Sequence, residues 1–193
     1  MTVPKVDTTL DAAIKDQQTV SAEGERVGDS ISGLIVNSPA IHPDHRGRLF
    51  EVFTGSTDFW SDPVVYCYCF TIRALQIKGW GLHLHKNDRY TIIHGEMIVV
   101  LYDARSDSPT YRMTQQVTMS ADGVRQLLIP AGVWHADVNI SDEEIEIINF
   151  PTAVYDHEDP DRYMLPWDSD EIPFDLTSVF PVQTRQRSAP PES

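Results

Sequence analysis

Three histidines stand where they could meet. His83 and His85 are two positions apart in GWGLHLHKNDRYTIIHG, and His135 lies in IPAGVWHADVN. In a strand, that spacing points His83 and His85 to one face. Pro130-Ala131-Gly132 is a turn signal that opens a second strand-like run, with His135 near its start. If the two strands face each other, three imidazoles converge in an interior. Such a cluster could hold a divalent metal or move protons near neutral pH. A lone histidine on an apolar strand is more often a hydrogen-bonded core residue. Three at these positions predict a functional pocket.

The segments around them supply the positioning. From Gly33 to Phe150, short β-branched and aromatic runs alternate with Gly, Pro, Asn and Asp punctuation. GLIVNS, RLFEVF, VVYCYCFTIR, YTIIHG, MIVVLYDAR, YRMTQQVTM, RQLLIP and EIEIINF are the clearest. Many short strands at such spacing predict an all-β sandwich or barrel. Residues 1–32 read as a polar extension with a short helix near Thr9 to Val20. Residues 33–181 form the barrel domain. Its end, VYDHEDPDRYMLPWDSDEIPF, is an ordered loop extension with aromatic anchors, and residues 182–193 read as a disordered tail.

Composition narrows the function classes. The chain has 193 residues, which suits one domain, and 41% hydrophobic with 23% charged residues is an ordinary globular balance. A formal net charge of -14 argues against nucleic acid as a partner. No apolar run approaches the roughly 18 residues that would cross a bilayer, so no membrane partner is expected. The N-terminus lacks the order of a secretion signal, and the expected compartment is the cytoplasm. An anionic small molecule remains open if a local cluster among Arg46, Arg48, Arg89, Arg105 and Arg125 overrides the global field. Cys67 and Cys69 share one strand face, an awkward geometry for a mutual disulfide, and are expected as buried thiols.

The histidine pair and the later PAGVWH resemble the two signatures of the cupins, which implies a double-stranded β-helix, or jelly-roll barrel. Gly123, Pro130, Gly132, His135 and Asn139 stand at the second signature's intervals; in the first, Arg89 replaces an acidic ligand. Within the cupins the chain is similar to the dTDP-4-dehydrorhamnose 3,5-epimerases. DHRGRLFEVF, GLH, GEMIVVLYDARSDSPTY and MSADGVRQLLIPAGVWH carry that likeness across residues 33–175. It departs at Trp80, where the family has Arg, and near Asp88 or Arg89, where a family lysine falls. It departs again near Asn149, at the catalytic tyrosine position.

The resemblance implies an epimerase or isomerase that moves protons on a nucleotide-linked 4-keto sugar, without a cofactor, in a homodimer. His83 would be the base, with His135 beside it, and Tyr155, Tyr90 or His85 would stand in as the acid. Arg46, Glu51 and Arg105 would line the mouth, with the arginines on a diphosphate. Trp80 would stack on a ring; Arg89 and Asn149 are further binding candidates. The alternative is a metal-dependent cupin, an oxygenase or lyase, with His83, His85 and His135 on one Fe, Zn, Ni or Mn ion. A third reading is a non-catalytic small-molecule-binding cupin.

Overall fold

A computed structural model describes residues 8–16, 18–22, 27–55, 57–123 and 125–180. The chain divides into two compact units, residues 1–30 and 31–193. In the first, the expected helix is only a 3-10 turn, Thr8–Ala12, with no buried residue. A helix with no apolar face to bury lacks the packing that stabilises most short helices. The expected tail, 182–193, lies outside the described residues.

The second unit is a two-layered β-sandwich. Its strands are β1 (Ile35–Asn37), β2 (Ile41–Asp44), β3 (Gly47–Phe50), β4 (Tyr68–Ile72), β5 (Ile77–Leu82), β6 (Asp88–His94), β7 (Glu96–Asp103), β8 (Thr114–Ser120), β9 (Gln126–Ile129), β10 (Val133–Asn139), β11 (Ile145–Asn149) and β12 (Tyr163–Met164). One five-stranded sheet runs β1-β9-β6-β11-β4 and the other β12-β5-β10-β7-β8; β2 and β3 form a separate hairpin. Every pairing is antiparallel. This is the jelly-roll architecture expected for a cupin.

Period-2 alternation assigns each side chain its layer. On β7, Met97, Val99 and Leu101 enter the inner core with Ile92, Leu127 and Ile147. Ile98, Val100 and Tyr102 face the other way and pack under Ile172, Phe174 and Leu176 of the C-terminal extension. Phe59, Trp60 and Leu128 cover the outer face of the first sheet. The same alternation corrects the cysteine expectation. Tyr66, Tyr68 and Phe70 turn inward to line a cavity. Cys69, on the edge strand β4, and Cys67, just before it, therefore turn outward, and both are exposed.

Arg105 belongs to the scaffold. Its guanidinium holds Asp103 at 2.8 and 2.9 Å and the Ser32 carbonyl at 2.7 Å. Ser108 and Thr110 also donate to Asp103, each at 2.6 Å. A Cβ on Gly132, whose φ is +80°, would lie 2.6 Å from Arg105 Cγ, so the PAG turn needs glycine where the arginine passes. Burial alone would raise the Asp103 pKa. The bonds from Arg105, Ser108 and Thr110 outweigh it and hold the carboxyl well below the usual range.

A depressed carboxyl pKa stabilises the fold above the unfolded value and is lost as pH falls through the folded one. Asp103→Asn should cost about 3 kcal/mol at pH 7, the scale for breaking a buried pair. In urea titrations the gap to the wild type should narrow below pH 4. A gap unchanged down to pH 2 would show that the charge contributes nothing.

Candidate active site

The two sheets leave a cavity of about 380 Å³ between them, at the end bordered by β4 and β5. Asp88 is its organising group. It is the first residue of β6, 2% exposed, and its carboxylate lies between two imidazoles. Asp88 Oδ2 is 3.1 Å from His83 Nε2 and 3.7 Å from His135 Nε2. Asp88 Oδ1 accepts from Asn149 Nδ2 at 2.8 Å. Burial alone would raise this carboxyl, but the His83 bond, the charges around it and the Asn149 bond together lower it.

Each partner is fixed in turn. His83 Nδ1 donates to the backbone carbonyl of Asp161 at 2.5 Å. That bond sets the tautomer, so a proton is taken up or given at Nε2, beside Asp88. The Asp161 carboxylate accepts the N–H groups of Leu84 and His85, tying the loop after β5 to the C-terminal extension. His135 sits opposite Gly81 on the neighbouring strand, and a Cβ there would come within 3.4 Å of His135 Nε2. Burial pushes His135 down to about 4, against the pull of Asp88, so it is neutral at pH 7.

Two residues along β10, Asp137 faces the same cavity. Burial, then the Asp88 charge, raises it to about 7. Tyr90 donates to its Oδ2 at a long 3.5 Å, and its Oδ1 has no hydrogen-bond partner among the described residues. Lys78, Lys86 and Arg162 add positive charge to the lining, and Lys86 holds its ammonium 5.6 Å from the Tyr155 ring centre.

A family model described as dTDP-4-dehydrorhamnose 3,5-epimerase matches residues 29–190. The chain belongs to this family. A curated relative, the probable low-salt glycan biosynthesis epimerase Agl13 of Haloferax volcanii, is 34% identical over 141 residues, covering 72% of this chain and 90% of that protein. The dTDP-4-dehydrorhamnose 3,5-epimerase of Methanothermobacter thermautotrophicus is 28% identical over 160 residues, covering 80% and 84%. Among solved structures, a dTDP sugar isomerase from Desulfovibrio desulfuricans G20 superposes with a TM-score of 0.70 at 24% identity, covering 75% of this chain and 91% of that one. At that identity the superposition supports the fold alone. The chain is an enzyme of the carbohydrate epimerase and isomerase class.

The site differs from the sequence expectation in its third member. His85 is exposed, because β5 ends at Leu82 and the chain bends through Leu84 and His85, which breaks the strand alternation. Asp88 takes the third place. His83, Asp88 and His135 offer ligand atoms within 4.8 Å of one another, a set of two imidazoles and a carboxylate that suits a divalent cation. Ligation would compete with the His83–Asp88 bond. The matched proteins named above are epimerases and isomerases, not metal-dependent oxygenases.

Other candidates lie elsewhere. Arg89 is fully buried on the opposite face of β6, donating to the carbonyls of Asp62, Pro63 and Phe150 and lying 5.0 Å from the Trp60 ring centre. Trp80 points away from the cavity into the outer core, since Gly79 and Gly81 hold the inward positions. Arg46 is exposed and paired with Asp44 at 2.6 Å. Glu51 borders a separate recess beside the β2–β3 hairpin. Asn149 and Tyr155 are at the site. Asp88, Tyr68 and Asp137 were missed; inward alternation along β6, β4 and β10 is the signal that could have found them.

His135 and Asp137 oppose each other in pH dependence. A histidine lowered by burial loses stability as pH falls from 6.5 toward 4. A carboxyl raised by burial loses stability as pH rises from about 4 to 7. Asp137→Asn removes only the second effect. It should be more stable than the wild type to urea at pH 8, by at most about 4 kcal/mol, with the gain gone near pH 4. An Asn variant no more stable at pH 8 would mean that the carboxylate is well solvated or partnered.

Proposed function

We propose that the chain epimerises or isomerises a nucleotide-linked 4-keto sugar by proton transfer, with His83 as the base. The observation that carries this is the His83–Asp88 pair inside a cavity that is also lined by Lys86 and Arg162. A carbon beside a ketone is acidic enough for an imidazole to deprotonate. Nδ1–H is committed to Asp161, so the proton arrives at Nε2, and the Asp88 charge stabilises the imidazolium that forms. His135, neutral and alongside, keeps a second positive charge away from that step. The chain's own side chains supply the proton chemistry, so the reaction calls for no cofactor.

Substrate anchoring falls to groups other than the arginines expected from sequence. Lys86 and Arg162 are the cations suited to a diphosphate. Tyr66, Tyr68 and Phe70 form an aromatic wall in place of Trp80, with neighbouring ring centres 5.8 and 6.3 Å apart. The structurally similar ChmJ of Streptomyces bikiniensis is a 3'-monoepimerase solved with dTDP-quinovose, which makes dTDP sugars the first to test. The working unit is residues 33–181. A homodimer is supported by the separate β2–β3 hairpin with its exposed Leu49, a surface suited to a second copy. A cytoplasmic setting is supported by two exposed, unpaired cysteines, which persist best where thiols stay reduced.

The test is solvent exchange on a 4-keto sugar nucleotide in deuterium oxide. The wild type should incorporate deuterium beside the ketone, and His83→Asn should abolish it. Lys86→Ala and Arg162→Ala should raise KM about tenfold each with kcat little changed, and added salt should mimic them. Full exchange by the His83 variant would refute the base assignment. Activity lost with a stoichiometric metal on chelation would replace proton transfer by metal chemistry.

A further inference from the structure

Removing a proton from one face of a carbon inverts it only if a proton returns to the other face. His83 follows β5 and reaches the cavity from one sheet. Across the cavity, β4 and β6 of the other sheet bring Tyr68 and Tyr90 to the lining. Tyr90 is 4% exposed, and its hydroxyl is turned to Asp137. Tyr155 lies on the loop after β11, with Lys86 over its ring.

Tyr68 is set up differently. It is the register partner of Asn149 across β4 and β11. Asn149 Nδ2 donates to Tyr68 Oη at 2.9 Å and to Asp88 Oδ1 at 2.8 Å, while Asn149 Oδ1 accepts the Arg89 N–H at 3.0 Å. The amide therefore has no freedom to flip, and its N–H is fixed on the phenol oxygen. An oxygen that accepts from a fixed donor keeps its own proton for another acceptor. At 37% exposed, Tyr68 can present that proton to a bound sugar. His83, Asp88, Asn149 and Tyr68 thus form one hydrogen-bonded chain that links the two sheets.

We propose that Tyr68 is the second catalytic proton carrier, giving its phenolic proton to the face of the sugar carbon turned away from His83. This rests on the proton-transfer reading above. In the step, His83 Nε2 takes the proton as the C–H bond breaks, and the electron pair moves onto the ketone oxygen as an enolate. The enolate carbon then takes the Tyr68 proton on its other face, and the ketone re-forms. The Asn149 N–H holds the phenolate left behind. Water returns a proton to Tyr68 and removes the one on His83, so the net change is inversion at one carbon. Burial, then the Asp88 charge, pushes Tyr68 up to about 12, so the proton is present at neutral pH.

The experiment follows two signals from dTDP-4-dehydro-6-deoxyglucose in deuterium oxide: label entering the recovered starting sugar, and formation of its epimer. The wild type should give both. Tyr68→Phe should lose about a hundredfold or more in epimer formation while label still enters the starting sugar, since His83 can return deuterium to the face it emptied. Retained labelling also shows that the variant is folded. Unchanged epimer formation in Tyr68→Phe would overturn the assignment. So would labelling and epimer formation lost in parallel, because Tyr68 would then be needed before the second transfer. A wild type that labels nothing would remove the proton-transfer reading itself, and this assignment with it.

Discussion

A carboxylate sunk between two β-sheets stays charged only if donors reach it. At Asp88 that requirement organises much of the site. Oδ2 lies beside His83 Nε2, and the other ring nitrogen is held by the Asp161 carbonyl. Oδ1 needs the Asn149 amide, whose second N–H then orients Tyr68. The C-terminal extension is drawn in as well, since the Asp161 carboxylate closes the loop that carries His83. One buried charge therefore couples β6, β11, β4, the loop after β5 and the extension.

The strand carrying Asp88 also sets the limits of what could be read in advance. The fold was legible, because β7, β8 and β11 alternate cleanly and their punctuation is strong. His83 and His135 were legible as pocket residues because turn and strand signals flank them. His85 was misplaced because spacing of two means one face only while a strand continues, and β5 ends at Leu82. Arg89 drew attention as a cation near the site. Once Asp88 faces inward, however, Arg89 must face outward, where three carbonyls and Trp60 hold it. Arg105 looked like a ligand for phosphate, but Asp103 two residues before it is the nearer anion. In each case the residue type was read correctly and the partner was not, because partners here come from distant parts of the chain.

The electrostatics of the cavity run against those of the chain. The sequence carries a net charge of -14, a field that repels an anionic substrate at long range. That field is screened over about 8 Å in physiological salt, so the local set decides binding. Lys78, Lys86 and Arg162 face the cavity, and Asp137 rises to about 7, which halves its charge near neutral pH. His135 is neutral there too. Burial thus suppresses charge at two of the ionisable positions and leaves the His83–Asp88 pair as the polar centre around which a proton can move.

The rigid parts of the molecule are separate from this chemistry. The inner core lies beyond Ile92 and Ile147, the outer cores cover both sheets, and the Asp103 cluster clamps the turn before β10. None of these depends on which polar groups line the open end. A sandwich held this way can change the polar groups at its open end without losing its fold, provided that the new groups satisfy one another. That condition ties positions 88 and 149 together. Asp88 and Asn149 bond to each other, so neither side chain is self-sufficient: without the amide the Asp88 carboxylate would lose a donor, and without the carboxylate the amide would lose an acceptor. The phenol at position 68, register partner of 149, completes the set by taking the amide's remaining N–H.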